Sequence, residues 1–458
     1  MISTIKRQVF CLLLLSAMST LHLSAQNDLS SLMLVNTWQN MNVNPALQPS
    51  GLTINLPGIY NNLWVTNITF NDLLVDEGGR QVLDVSNAIG QMEAQNILRE
   101  DLDIETIGIG MQFGNLGLNI GHRLRFNALI DYPKTLAQLI WEGNAQFIGQ
   151  TIDFGPAFDV TAYHEFAVGA SYKIGDNVKV GGRVKLLSGG ANLNTANSDL
   201  QLTTDDDVYQ LRMDADYVVN SAGTLNYDGL RDVNVDFNFG NFSTDELFGG
   251  NSGMAFDLGV AIKLDRLQIA VSAIDLGGEI SWEENVNNYT LEGVYEFEGL
   301  DVAQDLLDDA ESFGSIIDSL YETYEPVETS RSYTTNIGAK YYFSGQYELN
   351  DEISVGLIGY TDDYRDVSTT GFAVTGSINF SPLLRLGAFY GLRNERFDNL
   401  GANAMINLGP VRVILATDNI ISAFRPKDAN LANFRLGANL QFGQEKDPVD
   451  SSNGNRFF

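Results

Sequence analysis

Residues 116–132 read LGLNIGHRLRFNALIDY, and apolar and polar side chains alternate along almost all of this stretch. A period of two predicts a β-strand with one apolar and one polar face. Only His122 interrupts the apolar face. A run of this length, at about 3.3 Å per residue, exceeds the usual strand of a globular sheet. It suits a tilted strand that crosses a membrane and continues past it.

The same alternation recurs between Ile104 and Phe442. One such strand fits any half-buried sheet, whereas many copies with glycine on the polar face favour a large closed barrel over a sandwich. The clearest further copies are residues 158–172, 178–186, 254–264, 335–343, 372–380, 384–392, 400–408 and 434–442.

The connections alternate between tight turns and long excursions, as in outer-membrane barrels with short periplasmic turns and long extracellular loops. The sequence therefore predicts an all-β fold, a transmembrane antiparallel β-barrel. A first strand within Asn62 to Phe70 makes the strand number even. We expect about 14 strands if residues 200–219 lie in an outer loop, and 16 if they span. Tight turns are predicted at 114–115, 175–177, 265–266, 381–383 and 409–410, and long excursions at 133–150, 188–253, 275–332 and 419–432.

The first 25 residues resemble a secretory signal: Lys6 and Arg7, an apolar run from Val9 to Leu23, then Ser24 and Ala25. The run is short for a transmembrane helix, so we expect cleavage after Ala25. The single cysteine, Cys11, is lost with the signal, which excludes disulfides and thiol chemistry from the mature chain. The predicted organisation is a signal peptide at 1–25, an N-terminal plug segment at 26–61, the barrel at 62–442 and a tail at 443–458.

Charge and histidine content exclude several functions. The chain has 27 basic and 58 acidic residues, a net charge of −31, which would repel nucleic acid. Beyond the signal only His122 and His164 remain, and Ser171 falls on the face opposite His164, so neither a zinc site nor an enzyme is expected. We predict no catalytic, cofactor-binding or metal-binding residues, and no cofactor.

The positions of the basic residues indicate more about function than the total charge does. Many of them fall on the inferred inward faces, together with acidic residues. A lumen packed with ion pairs is favoured, and a polar conduit for an anionic solute is the alternative. The predicted lumen residues are Arg123, Arg125, Asp159, Glu165, Lys173, Lys179, Arg183, Lys185, Arg212, Asp257, Lys263, Lys340, Arg385, Arg412 and Arg435.

Residues 27–49 lack the barrel alternation but contain apolar material that must be buried. A barrel of about 14 strands is wider than its own side chains fill, so this segment is predicted to plug the lumen. The candidate plug residues are Trp38, Met41, Asn44 and Pro45. Two helices are also predicted, at 133–141 and along the apolar stripe from Val302 to Leu320.

Three stretches resemble the FadL-like barrels of Bacteroidota, a group that includes the PorV, PorP and SprF proteins: NPAL at 44–47, AVGASYKIGDNVKVGGRVKLLSG at 167–189 and AFDLGVAIKLDRLQIAVSAIDLG at 255–277. LMLVNTWQNMNVNPAL at 32–47 and residues 133–149 are most similar to an uncharacterised family of outer-membrane barrels within it. The resemblance covers most of the mature chain, and it assigns no catalytic or ligand residue.

What the resemblance implies is an N-terminal segment in or beneath the lumen. In FadL itself that segment helps to gate the passage of long-chain fatty acids, whereas PorV-like barrels belong to type IX secretion. The expected function is transport, or assistance to transport, of a hydrophobic or amphipathic small molecule; the alternative is a non-catalytic scaffold of the type IX secretion or gliding kind. The expected partners are outer-membrane lipid, a hydrophobic small-molecule ligand and a protein of the cell envelope.

Overall fold

A computed structural model describes residues 28–66, 68–206, 210–223, 225–227, 233–235, 249–297, 326–364, 367–393 and 396–443. Fourteen antiparallel strands form a closed barrel, because the first strand pairs with both the second and the last. The strands are β1 Leu52–Val65, β2 Gln95–Phe113, β3 Leu116–Pro133, β4 Ala157–Ile174, β5 Val178–Thr204, β6 Ser252–Leu264, β7 Leu267–Trp282, β8 Ala339–Glu348, β9 Ile353–Tyr364, β10 Val367–Ser381, β11 Leu384–Arg393, β12 Arg396–Leu408, β13 Val411–Thr417 and β14 Leu431–Phe442.

The predicted barrel of 14 strands is confirmed, but its predicted start at Asn62 is wrong. β1 begins ten residues earlier, at Leu52. Pro57 and Gly58 lie inside this strand, where its pairing with β14 shifts register between Leu56 and Ile59. The bulge breaks the period of two, and a proline argues against a strand when only the sequence is read.

The five predicted tight turns join strands of the barrel, and a sixth at residues 349–352 joins β8 to β9. The sequence did not reveal β9. Its inward face carries Ile358 and Tyr360, which are buried, while Leu357 is exposed on the opposite face. With apolar residues on both faces the alternation is weak, so this strand has no distinctive pattern.

β5 has 27 residues and continues far beyond the barrel wall. Its distal half pairs with Leu211–Gly223, which in turn pairs with Asn287–Phe297. These strands form an outer sheet and do not close the barrel, which is why the count is 14 and not 16. Residues 188–253 are therefore not only loop. Short strands elsewhere are Leu74–Glu77, Arg80–Leu83, Thr151–Asp153, Leu225–Tyr227, Val233–Val235, Val327–Thr329 and Tyr333–Asn336.

The part of the chain that the structure describes contains four short α-helices: α1 Trp38–Val43, α2 Val85–Gln91, α3 Lys134–Glu142 and α4 Ile420–Phe424. The 3₁₀ turns are Ser30–Met33, Pro45–Leu47, Phe70–Leu73, Ala145–Phe147 and Pro426–Asp428. α3 confirms the helix predicted at 133–141. The second predicted helix, the signal peptide and most of the tail lie outside the described residues. In the described ranges no helix is long and apolar enough to cross a bilayer.

The two faces of the wall differ as the alternation predicts. Leu118 and Val168 are 47% and 57% exposed on the outside, whereas Asn119 and Arg125 are each 5% exposed on the inside. An apolar exterior around a polar interior is the arrangement of a membrane-spanning barrel.

This arrangement predicts a specific cost for a charge on the outer face. Arginine in place of Val168 should lower the free energy of unfolding by about 2 kcal/mol or more, because the charge must sit in lipid. Denaturant unfolding from liposomes measures this. Val327, which is 63% exposed on a short strand outside the barrel, provides the matched control. If arginine at Val327 and at Val168 had the same effect, the outer face of β4 would not contact lipid.

Candidate functional site: the barrel lumen

Residues 28–50, the N-terminal segment, fold into three short turns before β1. Thr37 caps α1 by accepting a hydrogen bond from the backbone N–H of Asn40, and Asn44 caps the following 3₁₀ turn at Ala46. Almost every residue of the segment is buried, including polar ones such as Gln39 and Gln48. Because a polar residue is buried only where it has partners, the segment must be matched by polar groups around it.

These partners lie on strands all around the barrel. The N–H of Trp38 donates to Oδ1 of Asn439 on β14 at 3.1 Å. Gln39 donates to Oε2 of Glu105 on β2 at 2.6 Å. Three further hydrogen bonds involve other parts of the wall. Arg183 on β5 donates to Asn42, and Asn44 donates to the carbonyl of Val271 on β7. Near the tight-turn end, Gln48 donates to the carbonyl of Leu118. Contacts to opposite walls place the segment among the inward-facing side chains.

Glycines on the inner wall make room for the segment. A Cβ on Gly108 would lie 2.2 Å from the indole of Trp38, and one on Gly121 would lie 2.6 Å from it. No side chain other than hydrogen fits beneath this ring, so the wall and the segment are shaped for each other. Comparable close approaches occur at Gly181 to Pro45, at Gly259 to Asn44 and at Gly437 to Gln39.

The candidate plug residues Trp38, Met41, Asn44 and Pro45 are all buried in this segment. The sequence did not single out Gln39, Asn42 and Gln48, although each of these amides makes polar contacts with the wall. The sequence could have indicated these three residues, since an amide in a segment predicted to be buried needs a hydrogen-bond partner on the surrounding wall.

A network of ion pairs lines one side of the lumen, with Lys185 at its centre. Its ammonium lies 2.5 Å from Asp275, 2.8 Å from Asp257 and 3.6 Å from Glu165, and the side chain is 0% exposed. Three carboxylates around one buried ammonium satisfy charges that would otherwise be costly to bury.

Arginines extend the network toward the other strands. Arg123 makes a two-pronged pair with Glu165, with both Nη2 distances below 3 Å. Arg125 reaches Asp103 at 3.0 Å and Asp275 at 2.9 Å. Such fork-shaped pairs fix orientation as well as charge. The lumen is therefore a connected ionic structure on this side.

Arg435 connects this ionic side to the N-terminal segment. Its Nη2 lies 2.5 Å from Asp28 and its Nη1 lies 3.2 Å from Glu105, while the guanidinium stacks on the ring of Tyr60 at 4.5 Å. The backbone N–H of Asp28 donates to the hydroxyl of Tyr60 at 2.9 Å. The start of the segment is thus held by both the first and the last strand.

The predicted lumen residues divide into three groups. Those buried inside the barrel are Arg125, Asp159, Glu165, Arg183, Lys185, Asp257, Lys340 and Arg435, with Arg123 slightly less buried. Those near the tight-turn end, only partly buried, are Lys173, Lys179, Lys263, Arg385 and Arg412. Arg212 is a correction: it lies on the outer sheet, paired with Asp214, and both side chains are about half exposed. Alternation alone cannot distinguish an outer sheet from the barrel wall.

Several buried charges were missed, chiefly on β2. Arg99, Asp101 and Glu105 are buried in the lumen, with Asp103 slightly less buried, and Arg99 pairs with Asp362 at 2.7 Å. The pairing of β2 with β3 shifts between Glu105 and Ile107, so residues of the same parity face inward above this bulge and outward below it. A period of two cannot be followed across such a shift.

The opposite side of the lumen carries an apolar patch, which is flanked by buried polar side chains such as Asp362 and Thr375. Tyr342, Ile358, Tyr360, Ala373 and Phe389 project inward from β8 to β11 and pack against one face of the N-terminal segment. The residues of the segment that cover them are Leu29, Leu32, Met33 and Val43. The lumen wall is therefore two-sided, charged on one side and with an apolar patch on the other.

Little space remains where the two sides meet. A cavity of about 30 Å³ lies between them, lined by residues that include Asn42, Asp103, Arg123, Lys340 and Tyr342. This volume is enough for very few water molecules. With the segment in place, a solute larger than these water molecules does not fit in this cavity.

The two histidines lie on the outer face, as predicted, and contact each other. Nε2 of His122 is 3.1 Å from Nδ1 of His164, and Oγ1 of Thr106 is 2.8 Å from Nδ1 of His122. The ring of His122 also packs on Phe166. These contacts pair polar atoms with one another on a surface that otherwise faces lipid.

Solved structures with a similar arrangement of strands include a FadL homologue of Pseudomonas aeruginosa, at 11% identity, with a TM-score of 0.42, covering 89% of this chain and 95% of that one. The toluene transporter TbuX of Ralstonia pickettii shows 9% identity and a TM-score of 0.40, covering 88% of this chain and 94% of the transporter. The COG4313 outer membrane channel of Pseudomonas putida F1 shows 12% identity and a TM-score of 0.27, covering 85% and 94%.

The curated proteins contain no match to this chain. A family model described as "Family of unknown function (DUF5723)" matches residues 45–418, which include Pro45 of the N-terminal segment and all strands of the barrel except β14. The match covers well over half of the chain, and the protein therefore belongs to the DUF5723 family.

Proposed function

We propose that this protein resides in the outer membrane and transports, or helps to transport, a hydrophobic or amphipathic small molecule, with the N-terminal segment as its plug. Export would follow cleavage after Ala25. The observation that carries the proposal is the lumen with a charged side and an apolar patch, against which the N-terminal segment is held by non-covalent contacts.

The chemistry of the wall selects the class of solute. When the segment leaves, Tyr342, Tyr360 and Phe389 form an uncovered apolar strip that faces the ion-pair network across the lumen. A molecule with an apolar body and a polar group matches both surfaces, whereas a strongly hydrated ion would gain nothing from the strip.

Movement of the segment is the step that this proposal requires, because the docked segment leaves a cavity of only about 30 Å³ where the two sides of the lumen meet. The close fit at the wall glycines and the hydrogen bonds of the amide side chains give the docked state a defined structure. In the open state the barrel strands would remain. Two discrete arrangements of one element are what a gate needs.

Deletion of residues 27–41 tests the proposal. We expect liposomes that contain the deleted barrel to become permeable to a small hydrophobic or anionic solute, because the apolar cover and the Trp38 seat are vacated while the strands remain. Permeability is measured before and after deletion, and folding is verified by heat-shifted electrophoresis. Removing residues 76–81, at the tip of the exposed hairpin between β1 and β2, is the matched control. A deleted barrel that folds but stays sealed would contradict the plugged-conduit proposal.

A scaffold function is the second candidate, and the outer sheet favours it. This sheet carries its own apolar cluster, which includes Phe147, Leu202 and Met213, and it stands on the part of β5 beyond the barrel. Passage through a lumen does not require such a platform, whereas a partner in the cell envelope would contact it. A stoichiometric protein recovered from detergent-solubilised membranes, and lost when the outer sheet is removed, would favour the scaffold.

A further inference from the structure

Asp418 is the first residue after β13, a strand of only seven residues, and it is fully buried at the start of the N-terminal segment. Its Oδ1 accepts a hydrogen bond from the backbone N–H of Ser30 at 2.9 Å. The side chain of Asn433 on β14 holds the Asp418 backbone N–H at the same distance. The carboxyl group of Asp418 is therefore a direct attachment point between the barrel wall and the segment.

This carboxyl group forms no ion pair with any residue that the structure describes. Among the described residues no cation pairs with Asp418, and its Oδ2 accepts no hydrogen bond. The charged and titratable groups that face it are Asp28 on the segment, Tyr60 on β1 and Arg435 on β14. Arg435 is already engaged by two acids, Asp28 and Glu105, and its positive charge lowers the pKa of Asp418 less than burial and Asp28 raise it.

We propose that Asp418 is a pH-sensitive latch, which holds the N-terminal segment while its carboxyl group is protonated and weakens that hold when the group ionises beside Asp28. This inference rests on the proposed function, since it describes how the proposed plug is regulated. Its physical basis, a buried acid without a partner cation next to a second acid, is independent of what passes through the barrel.

Burial, and then the negative charge of Asp28, raise the pKa of Asp418 to about 7. A carboxyl group whose pKa is higher when the segment is docked binds its proton more tightly in the docked state, so docking weakens as the pH rises. An ordinary aspartate has a pKa of about 3.9, so the loss extends from about pH 4 to about pH 7 and is complete above that. Over this window the docking equilibrium changes by up to about tenfold per pH unit.

A single cysteine reports docking directly. Ser31 is 0% exposed in the segment, and the mature chain is expected to contain no other cysteine once the signal has been removed. In the S31C protein in liposomes, maleimide labelling is followed between pH 5 and pH 7.5 and divided by the labelling of N115C, at an exposed turn, to cancel thiol ionisation. We expect the normalised labelling to rise at least several-fold over this range.

The variant Asp418→Asn keeps the shape of the side chain but cannot ionise, so its labelling should stay low at pH 7.5, and only the smaller pH dependence that comes from Asp28, whose pKa burial also raises, should remain. The matched control Asp176→Asn, whose side chain is fully exposed at a turn, should keep the dependence of the parent protein. Labelling that does not change with pH in the parent, or that rises as steeply with pH in Asp418→Asn as in the parent, would overturn the latch. If labelling follows pH while permeability does not, the latch stands and the proposed transport fails.

Discussion

Replacing Lys185 with methionine should lower the free energy of unfolding by about 3 to 5 kcal/mol, because it removes one partner of a buried ion pair and leaves the others uncompensated. Asp257 and Asp275 each lie within 3 Å of the Lys185 ammonium, and none of the three side chains is more than 1% exposed. Methionine fills a similar volume but offers no charge, so the loss reflects electrostatics more than packing. Denaturant unfolding in liposomes measures it.

The matched control is Lys173→Met on the neighbouring strand β4. Lys173 is 38% exposed, and its single ion pair, with Asp176, spans 4.0 Å. An exposed pair of this kind contributes at most about 1 kcal/mol. Equal losses from the two substitutions would mean that the Lys185 network is hydrated and that the lumen is not the packed ionic structure described above.

Valine in place of Gly108 should displace the indole of Trp38 from its position against Gly108 and Gly121, and so undock the N-terminal segment. The rigid indole lies where the first carbon of the new side chain must go, and the wall behind Gly108 is backbone that cannot retreat. Exposing a tryptophan that buried about 200 Å² costs about 5 kcal/mol of docking free energy. Maleimide labelling of S31C should therefore become rapid at every pH.

Gly376 on β10 provides the matched control, since a Cβ there meets nothing within 4 Å. Valine at Gly376 should leave labelling at the level of the parent protein. If Gly108→Val folds and remains protected from the maleimide, the segment would be held without its tryptophan, and the fit between wall and segment would not determine docking.

Much of the barrel follows from the sequence because a membrane barrel repeats one simple constraint. An outward side chain such as Val168 must be apolar and its neighbours must not be, so alternation persists over many strands. Where a strand is exempt from that constraint, prediction fails. β9 is apolar on both faces because Ile358 and Tyr360 pack on the segment, and β1 contains a bulge at Pro57.

The candidate site was predictable only in part, for a different reason. Periodicity assigns a residue to a face but does not say which residues from distant strands meet. Arg99 and Asp362 are 263 residues apart in the chain, and their pairing depends on the closure of the whole barrel. Asp418 forms no ion pair with a described residue because the two Nη atoms of Arg435 pair with Asp28 and Glu105 instead. No local sequence pattern indicates which acids an arginine from a distant strand will contact.

The attachment of the segment to both ends of the chain bears on how the protein is assembled. Asn439 donates to Asn55 at 2.8 Å across the junction of β14 and β1, and the adjacent residues Trp38 and Gln39 bind these same two side chains. Trp38 and Asn439 are 401 residues apart, so this contact forms only after the last strand has been made. Until then β1 and β14 are open edges, which are liable to pair with other chains. The segment is continuous with β1 and hydrogen-bonded to β14, so it stabilises the pairing of the first and last strands, which are not neighbours in the sequence. The N-terminal segment can therefore reach its docked position only once β14 has closed the barrel against β1.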